Sequence, residues 1–226
     1  MKYILMDVEG TTTSISFVHD ILFPFAKERL SSYILSHINL PEIQLVLTLT
    51  KETSLEEEQR SLDNFGAIQK LIQWIDEDRK HPALKNIQGM IWKEGYQSGL
   101  LKGHIYPEVP ECLKKWHEAN IKMGIYSSGS IEAQKDLFGY SEFGNLNHFI
   151  SNNFDTTSGH KREEKSYLNI ANELDIEPNE ILFLSDISQE LDAAEAVGFN
   201  TAQLLRLEEL PYVGHLQVKS FFDIII

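Results

Sequence analysis

The stretch that decides the fold is MKYILMDVEGTTT, residues 1–13. Its segment Tyr3–Met6 is apolar, uncharged and too short for a helix, so we interpret it as a buried β-strand. Asp7 and Glu9 follow directly, at the carboxyl end of that strand, where open α/β sheets bind ligands. On local grounds alone a strand that ends in an acidic turn fits at least as well, so the rest of the chain must decide between the two interpretations.

The composition limits the size, the partners and the compartment of the protein. Its 226 residues suffice for one large domain or for a core with an insertion. Acidic residues outnumber basic ones 34 to 20, which argues against binding to the phosphate backbone of nucleic acids.

The single cysteine, Cys112, cannot form an internal disulfide, and its apolar neighbours favour a core position over a reactive thiol. The run of about four apolar residues before Asp7 is far too short for a signal peptide or a membrane span, so we expect a cytoplasmic protein with no membrane partner. The acidic surface and the lack of a coiled-coil pattern favour a monomer.

The middle of the chain has a helical pattern. Apolar residues recur at helical spacing, for example at Ile68, Leu71, Ile72 and Ile75, and no convincing strand interrupts them. We therefore predict that residues 21–104 form a helical cap inserted after the first strand. The cap is expected to act as a lid that excludes water.

The rest of the chain alternates strands and helices. This alternation predicts a Rossmann-like parallel-sheet core, an α/β fold with helices on both faces, formed by residues 1–20 and 105–226. The predicted strands are Tyr3–Met6, Ile121–Tyr126, Phe149–Ile150, Ile181–Leu184 and Phe199–Leu205.

Acidic residues follow two of these strands. The carboxyl ends of parallel strands share one edge of the sheet, so Asp7 and Asp186 are expected to converge there. Two unpartnered carboxylates would repel each other, and one would have to stay protonated. Mg²⁺ removes this conflict, because it prefers oxygen and is held by one or two carboxylates, several waters and a substrate phosphate. The sequence therefore predicts a magnesium site that receives a small phosphorylated metabolite.

Groups suited to bind and attack a phosphate lie at the same edge. The hydroxyls of Ser127 and Ser128, with the backbone N–H groups beside Gly129, precede a predicted helix and form a typical anion cradle. Asp7 could attack phosphorus through an aspartyl-phosphate, and a lysine would complete the charge neutralisation. The polar loop GHK, residues 159–161, offers Lys161, with Lys165 as a competitor.

These motifs, taken in order, resemble the haloacid dehalogenase superfamily of phosphohydrolases. The usual opening of that superfamily is Asp-x-Asp-Gly-Thr, and this chain departs from it at Glu9. With that departure, the motifs at residues 7–13, 17–24, 126–130 and 159–161 closely resemble the enolase-phosphatase (acireductone synthase) family of methionine salvage. The similarity covers nearly the whole chain and is weakest over residues 39–79.

The resemblance implies a Mg²⁺-dependent enzyme that acts on 2,3-diketo-5-methylthiopentyl-1-phosphate. Such an enzyme enolises the diketone and then hydrolyses the phosphate through an aspartyl-phosphate. The products are phosphate and the acireductone 1,2-dihydroxy-3-keto-5-methylthiopentene.

The same resemblance implies roles for individual residues. Asp7 is then the nucleophile and a metal ligand, and Glu9 occupies the position of the general acid/base. The carboxyl of a glutamate is displaced by one methylene, so Glu9 either acts through its side chain or offers only its backbone carbonyl to the metal. The implied phosphate-binding residues are Ser127, Ser128 and Lys161, and the implied metal ligands are Asp7, Glu9 and Asp186.

Two other functions remain open on the sequence. One is a general Mg²⁺-dependent phosphatase of small metabolites with a helical cap, and the other is a non-catalytic phosphate-binding module. Two roles fit Glu190. Its side chain could orient a metal-bound water, or it could simply pair with the dipole of the helix that it begins. Trp92 and Tyr96 lie one helical turn apart and are more simply explained by core packing than by substrate contact.

Overall fold

The computed structural model describes residues 1–206 and 214–226, and the chain divides into two compact units. The first comprises Met1–Ile15 and Lys102–Ile226, and the second comprises Ser16–Leu101. These boundaries differ by a few residues from the expected 20/21 and 104/105. The first difference arises because a π-helical segment, Phe17–Leu22, runs without a break into the first α-helix. Residues 207–213 of the expected core lie outside the described residues.

In the first unit, six described strands form a parallel sheet: β1 Tyr3–Met6, β2 Lys122–Tyr126, β3 Asn152–Phe154, β4 Ile181–Ser185, β5 Asn200–Leu204 and β6 Leu216–Val218. Their order across the sheet is β3-β2-β1-β4-β5-β6. The α/β fold class predicted from the sequence is confirmed. Residues of β1 and β4 are buried throughout, as expected for strands covered on both faces.

The strand order places the end of β1 at the switch point of the sheet. The chain builds β2 and β3 on one side of β1, then β4, β5 and β6 on the other. Ligands of open α/β sheets bind where the strand order reverses, outside the carboxyl ends of the strands. The topology therefore puts Asp7 at the position where a ligand is expected.

Two edge strands differ from the sequence prediction. The expected strand at Phe149–Ile150 is wrong: a 3₁₀ turn spans Asn147–Phe149, and β3 begins at Asn152. The first two residues of β3 are polar asparagines, and pairing with β2 rather than apolar content makes this segment a strand. The three-residue β6 was not predicted, because it owes its conformation to pairing with β5.

Helices of the first unit connect the strands. One core cluster lies where Tyr3 and Leu5 of β1 pack with buried residues of the later helices, including Tyr167 and Leu191. Burial raises the pKa of Cys112 to about 11, which keeps its thiol protonated and agrees with a core position. The helices of this unit are α5 Glu108–Glu118, α6 Ile131–Gly139, α7 Glu164–Leu174 and α8 Ser188–Ala196.

The second unit is helical and has its own hydrophobic core. Prolines 24, 41 and 82 occupy the first helical positions, where a missing N–H is harmless. Tyr96 is buried, and Trp92 stacks on Phe23 while its Nε1 donates to the Leu22 carbonyl at 2.8 Å. Among the described residues, no helix is long and apolar enough to cross a membrane. The helices are α1 Phe23–Ser36, α2 Pro41–Glu58, α3 Asn64–Asp76 and α4 Pro82–Gln97.

Candidate active site

Asp7 is buried directly after β1, in a tight turn. Its Oδ1 accepts a hydrogen bond from the backbone N–H of Val8 at 2.7 Å, and its own N–H donates to the carbonyl of Leu184 in β4. The carbonyl of Val8 then accepts bonds from the N–H groups of residues 11–13, which closes the turn. The polar loop of the opening stretch is therefore fixed against the end of the sheet.

Lys161 meets Asp7 inside this site. Its Nζ lies 2.5 Å from Asp7 Oδ1 and 2.6 Å from Glu190 Oε2, and the whole residue is buried. Burial alone would lower the pKa of Lys161, but the charges of Asp7 and Glu190 outweigh it and raise the pKa. Lys165, the competing lysine, is exposed. The structure thus pairs the buried carboxylate of Asp7 with the lysine of the GHK loop.

Glu190 is the acidic residue of the first turn of α8 and contacts Lys161. Ser185 Oγ donates to its Oε2 at 3.1 Å and lies 3.5 Å from Asp7 Oδ2. Burial, followed by the negative charge of Asp7, raises the pKa of Glu190 to about 7. Direct pairing with a buried lysine goes beyond the helix-dipole role considered from the sequence.

Asp186 contributes a carboxylate with incomplete hydrogen bonding. Its Oδ1 is buried and has no hydrogen-bond partner among the described residues. Burial and the charge of Asp7 raise the pKa of Asp186 to about 7. Three carboxyl groups, those of Asp7, Asp186 and Glu190, share the site with the ammonium of Lys161, which contacts Asp7 and Glu190. An orphaned carboxylate oxygen in such surroundings fits a hard cation such as Mg²⁺.

The donor set available for a metal is small. Within residues 1–206 and 214–226, no group of three or more His, Cys, Asp or Glu side chains is arranged to hold a metal ion. The side chains of Asp7, Glu9 and Asp186 are therefore not gathered into one cluster, and Glu9 is exposed whereas Asp7 is buried. Two carboxylates still satisfy Mg²⁺, which keeps several waters and binds substrate phosphate.

The two serines after β2 differ in their surroundings. Ser127 is buried, and its Oγ accepts from the Gly129 N–H at 3.0 Å, whereas Ser128 is exposed. Helix α6 is capped by Ser130, whose Oγ accepts from Ala133 at 3.2 Å. Neither predicted phosphate-binding serine is therefore needed as the helix cap, and both precede the positive end of α6.

Arg206 is a site residue that the sequence analysis missed. Its guanidinium donates from Nε to the Thr11 carbonyl at 3.1 Å, pairs with Glu108, and lies 4.0 Å from the ring centroid of Tyr106. The Thr11 carbonyl belongs to the loop that carries Asp7. The available signal was a lone arginine just past the apolar end of β5, at the same sheet edge as the other polar groups.

Replacing Gly10 with alanine is expected to disturb the site through Asp186. A Cβ at this position would lie 2.2 Å from Asp186 Oδ2, and φ is +71°, a region that L side chains rarely adopt. We expect kcat/KM for phosphate release to fall by about 100-fold, because the carboxylate must move away.

The matched control for this prediction is Gly99→Ala. Gly99 has a similar φ of +75°, but a Cβ there meets nothing within 4 Å. It therefore reproduces the backbone strain, about 1 kcal/mol, without the steric contact. Urea unfolding and phosphate release are measured for both variants, and equal activity of the two would show that displacing the Asp186 carboxylate does not impair the reaction.

The fold and site define a class of protein that the comparisons confirm. The sequence profile of the haloacid dehalogenase-like hydrolases matches residues 1–198. Among solved structures, the UTR4 protein of Saccharomyces cerevisiae aligns over 99% of both chains with a TM-score of 0.81 and 31% identity. The chain belongs to the haloacid dehalogenase-like hydrolases.

Its relatives narrow this class to one family. The chain is 46% identical to enolase-phosphatase E1 of Marinobacter nauticus, over 99% of this chain and 96% of that protein. It is 47% identical to enolase-phosphatase E1 of Pseudomonas fluorescens, over 99% of this chain and 97% of that protein. Within the hydrolases, it is a member of the enolase-phosphatase family.

Proposed function

We propose that this protein is the Mg²⁺-dependent enolase-phosphatase of methionine salvage. It converts 2,3-diketo-5-methylthiopentyl-1-phosphate to 1,2-dihydroxy-3-keto-5-methylthiopentene and phosphate. The observation that carries the proposal is the contact of Asp7 Oδ1 with Lys161 Nζ, 2.5 Å apart at the switch point of the sheet. This contact occurs in a chain that matches enolase-phosphatases over nearly its full length.

Asp7 is the proposed nucleophile. Its carboxylate attacks phosphorus, the bond between phosphorus and the substrate oxygen breaks, and water then hydrolyses the aspartyl-phosphate. Lys161 neutralises charge on the transferred phosphoryl group, which is what phosphoryl transfer mainly requires. Glu190 supports this arrangement, because its Oε2 also contacts the lysine Nζ, at 2.6 Å.

The phosphate is proposed to bind at the start of α6. Ser127 and Ser128 supply hydroxyls there, and the helix N-terminus supplies partial positive charge. Gln134 stabilises this loop, since its Nε2 donates to the carbonyls of Gly129 and Phe154 at 2.9 and 2.8 Å. These two hydrogen bonds hold the loop between β2 and α6 against the end of β3.

Asp7 and Asp186 are the residues that would hold Mg²⁺, with the backbone carbonyl of Glu9 as a third donor. When bound, the ion neutralises charge on the phosphoryl oxygens. The orphaned Oδ1 of Asp186 supports this assignment. The exposed side chain of Glu9, two residues after the nucleophile, supports its role as general acid/base.

The helical unit, residues 16–101, is proposed to be the cap of this enzyme, and its own hydrophobic core supports a role as one body. We propose that the protein works as a monomer in the cytoplasm. Its single, buried cysteine agrees with a reducing compartment, and its net charge of −14 agrees with a small-molecule partner rather than a nucleic acid.

Substrate preference tests the specific activity against a general phosphatase. With Mg²⁺, we expect kcat/KM for the diketone phosphate to exceed that for p-nitrophenyl phosphate by about 100-fold, because binding of the carbon chain contributes to transition-state stabilisation. Both rates are measured as phosphate release by the same preparation. Similar values for the two compounds would favour the general phosphatase.

A further inference from the structure

Three buried hydroxyls lie beneath the loop that carries the active-site lysine. The carbonyl oxygens of residues 159–161 each accept a hydrogen bond from a side chain outside the loop. We call these three donors the hydroxyl cradle. They are Tyr126 Oη to Gly159 at 3.0 Å, Ser166 Oγ to His160 at 2.7 Å and Tyr167 Oη to Lys161 at 2.7 Å.

The hydroxyl cradle is part of the protein core. Tyr126 and Tyr167 are fully buried, and their rings meet edge to face at 5.7 Å. Burial raises the pKa of both phenols, so both are protonated donors at neutral pH. A buried phenol or carbonyl without a hydrogen-bond partner lowers the stability of the folded state. The three hydrogen bonds therefore hold the loop in place on the core.

The loop itself fits closely on the cradle. A Cβ on Gly159 would lie 2.1 Å from Ser166 Oγ, so the backbone approaches the serine as near as a glycine permits. Above the cradle, Lys161 Nζ lies 5.8 Å from the centre of the Tyr126 ring, within range of a cation–π contact. Tyr126 therefore contacts the loop through its hydroxyl and faces the lysine ammonium with its ring.

We propose that the hydroxyl cradle positions Lys161 for phosphate binding through the backbone of its loop, with Tyr167 as the positioning residue that contacts Lys161 itself. This inference rests on the proposed function. A lysine side chain is long and flexible, so the place of its Nζ depends on where its backbone is held. The Tyr167 hydroxyl fixes the carbonyl of the residue whose Nζ reaches Asp7 and Glu190. Without that bond the backbone of Lys161 is free to shift, so the ammonium loses its fixed place beside Asp7 and Glu190 and binds the phosphate less tightly.

Tyr167→Phe tests the inference, with Tyr3→Phe as a matched control. Tyr3 is equally buried, and its Oη donates to Asn152 Oδ1 at 3.1 Å, away from the lysine loop. Both substitutions remove one buried phenolic hydrogen bond. The measurements are the Kd of orthophosphate by calorimetry in MgCl₂, the Tm, and KM and kcat for the diketone phosphate.

We expect both variants to lose a similar amount of thermal stability. In Tyr167→Phe, the Kd of orthophosphate and the KM are expected to rise about tenfold while kcat changes less than about twofold. In Tyr3→Phe, Kd and KM are expected to stay within about twofold of the wild type. Equal orthophosphate affinity in both variants, or no orthophosphate binding by the wild type, would overturn the inference.

A second variant covers the case in which Tyr167→Phe does not fold. Tyr126→Phe keeps the ring under Lys161 and removes the bond to the Gly159 carbonyl. An orthophosphate Kd raised about threefold over Tyr3→Phe would support the inference, and an equal Kd would overturn it. Orthophosphate binding requires no turnover. A wild type that binds orthophosphate but does not convert the diketone phosphate would therefore count against the proposed function alone.

Discussion

Asp7→Asn is expected to reduce phosphate release from the diketone phosphate by at least about 10³-fold, because a neutral amide cannot attack phosphorus. The amide oxygen can still accept the 2.7 Å bond from the Val8 N–H. The turn after β1 therefore keeps its main contact, and the variant is expected to fold. Steady-state phosphate release is the measurement.

The control for Asp7→Asn is the same substitution at Asp63. That carboxylate accepts from the Gly66 N–H at 2.7 Å and caps α3, a role that asparagine fills equally well. Asp63→Asn is expected to retain activity within about twofold. A phosphate-binding module without turnover would show a change in affinity only, and an unchanged rate in Asp7→Asn would exclude the aspartyl-phosphate route.

Lys161→Met is expected to damage both stability and activity. The substitution leaves Asp7 and Glu190 buried without their positive partner, and breaking such an arrangement costs about 3 kcal/mol. Loss of the cation that we propose neutralises the phosphoryl group is expected to lower kcat/KM by about 10³-fold. Urea unfolding and phosphate release measure the two effects.

Lys165→Met is the matched control, because this lysine is exposed and lies just beyond the loop. Its free energy of unfolding is expected to stay within about 0.5 kcal/mol of the wild type, with an unchanged rate. If the two lysine variants behaved alike, the role given to Lys161 would be wrong.

The sequence predicted the parts of the fold that local pattern determines. The segment Tyr3–Met6 is apolar throughout and forms the central strand, and the helical spacing around Ile68 and Ile75 matches α3. The edge strands were harder, because Asn152 and Asn153 of β3 carry no apolar signal. Their conformation comes from pairing with a neighbour that is remote in the chain.

The residues of the candidate site also fall into two groups, those that the sequence predicted and those that only the structure revealed. Asp7, Lys161 and Asp186 could be named because each follows a recognisable motif, and the structure brings the first two into contact. Arg206 and Tyr167 were harder to identify from the sequence, since each contacts a backbone carbonyl of a loop and belongs to no motif of its own. Such contacts depend on tertiary packing, which a single sequence does not display.

Product analysis of a single substrate tests the central claim most directly. The protein is incubated with 2,3-diketo-5-methylthiopentyl-1-phosphate in MgCl₂ or in excess chelator, and phosphate and acireductone are quantified together. The account predicts equal amounts of both products with magnesium and neither product with chelator. Phosphate released without the acireductone, or full turnover in chelator, would contradict it.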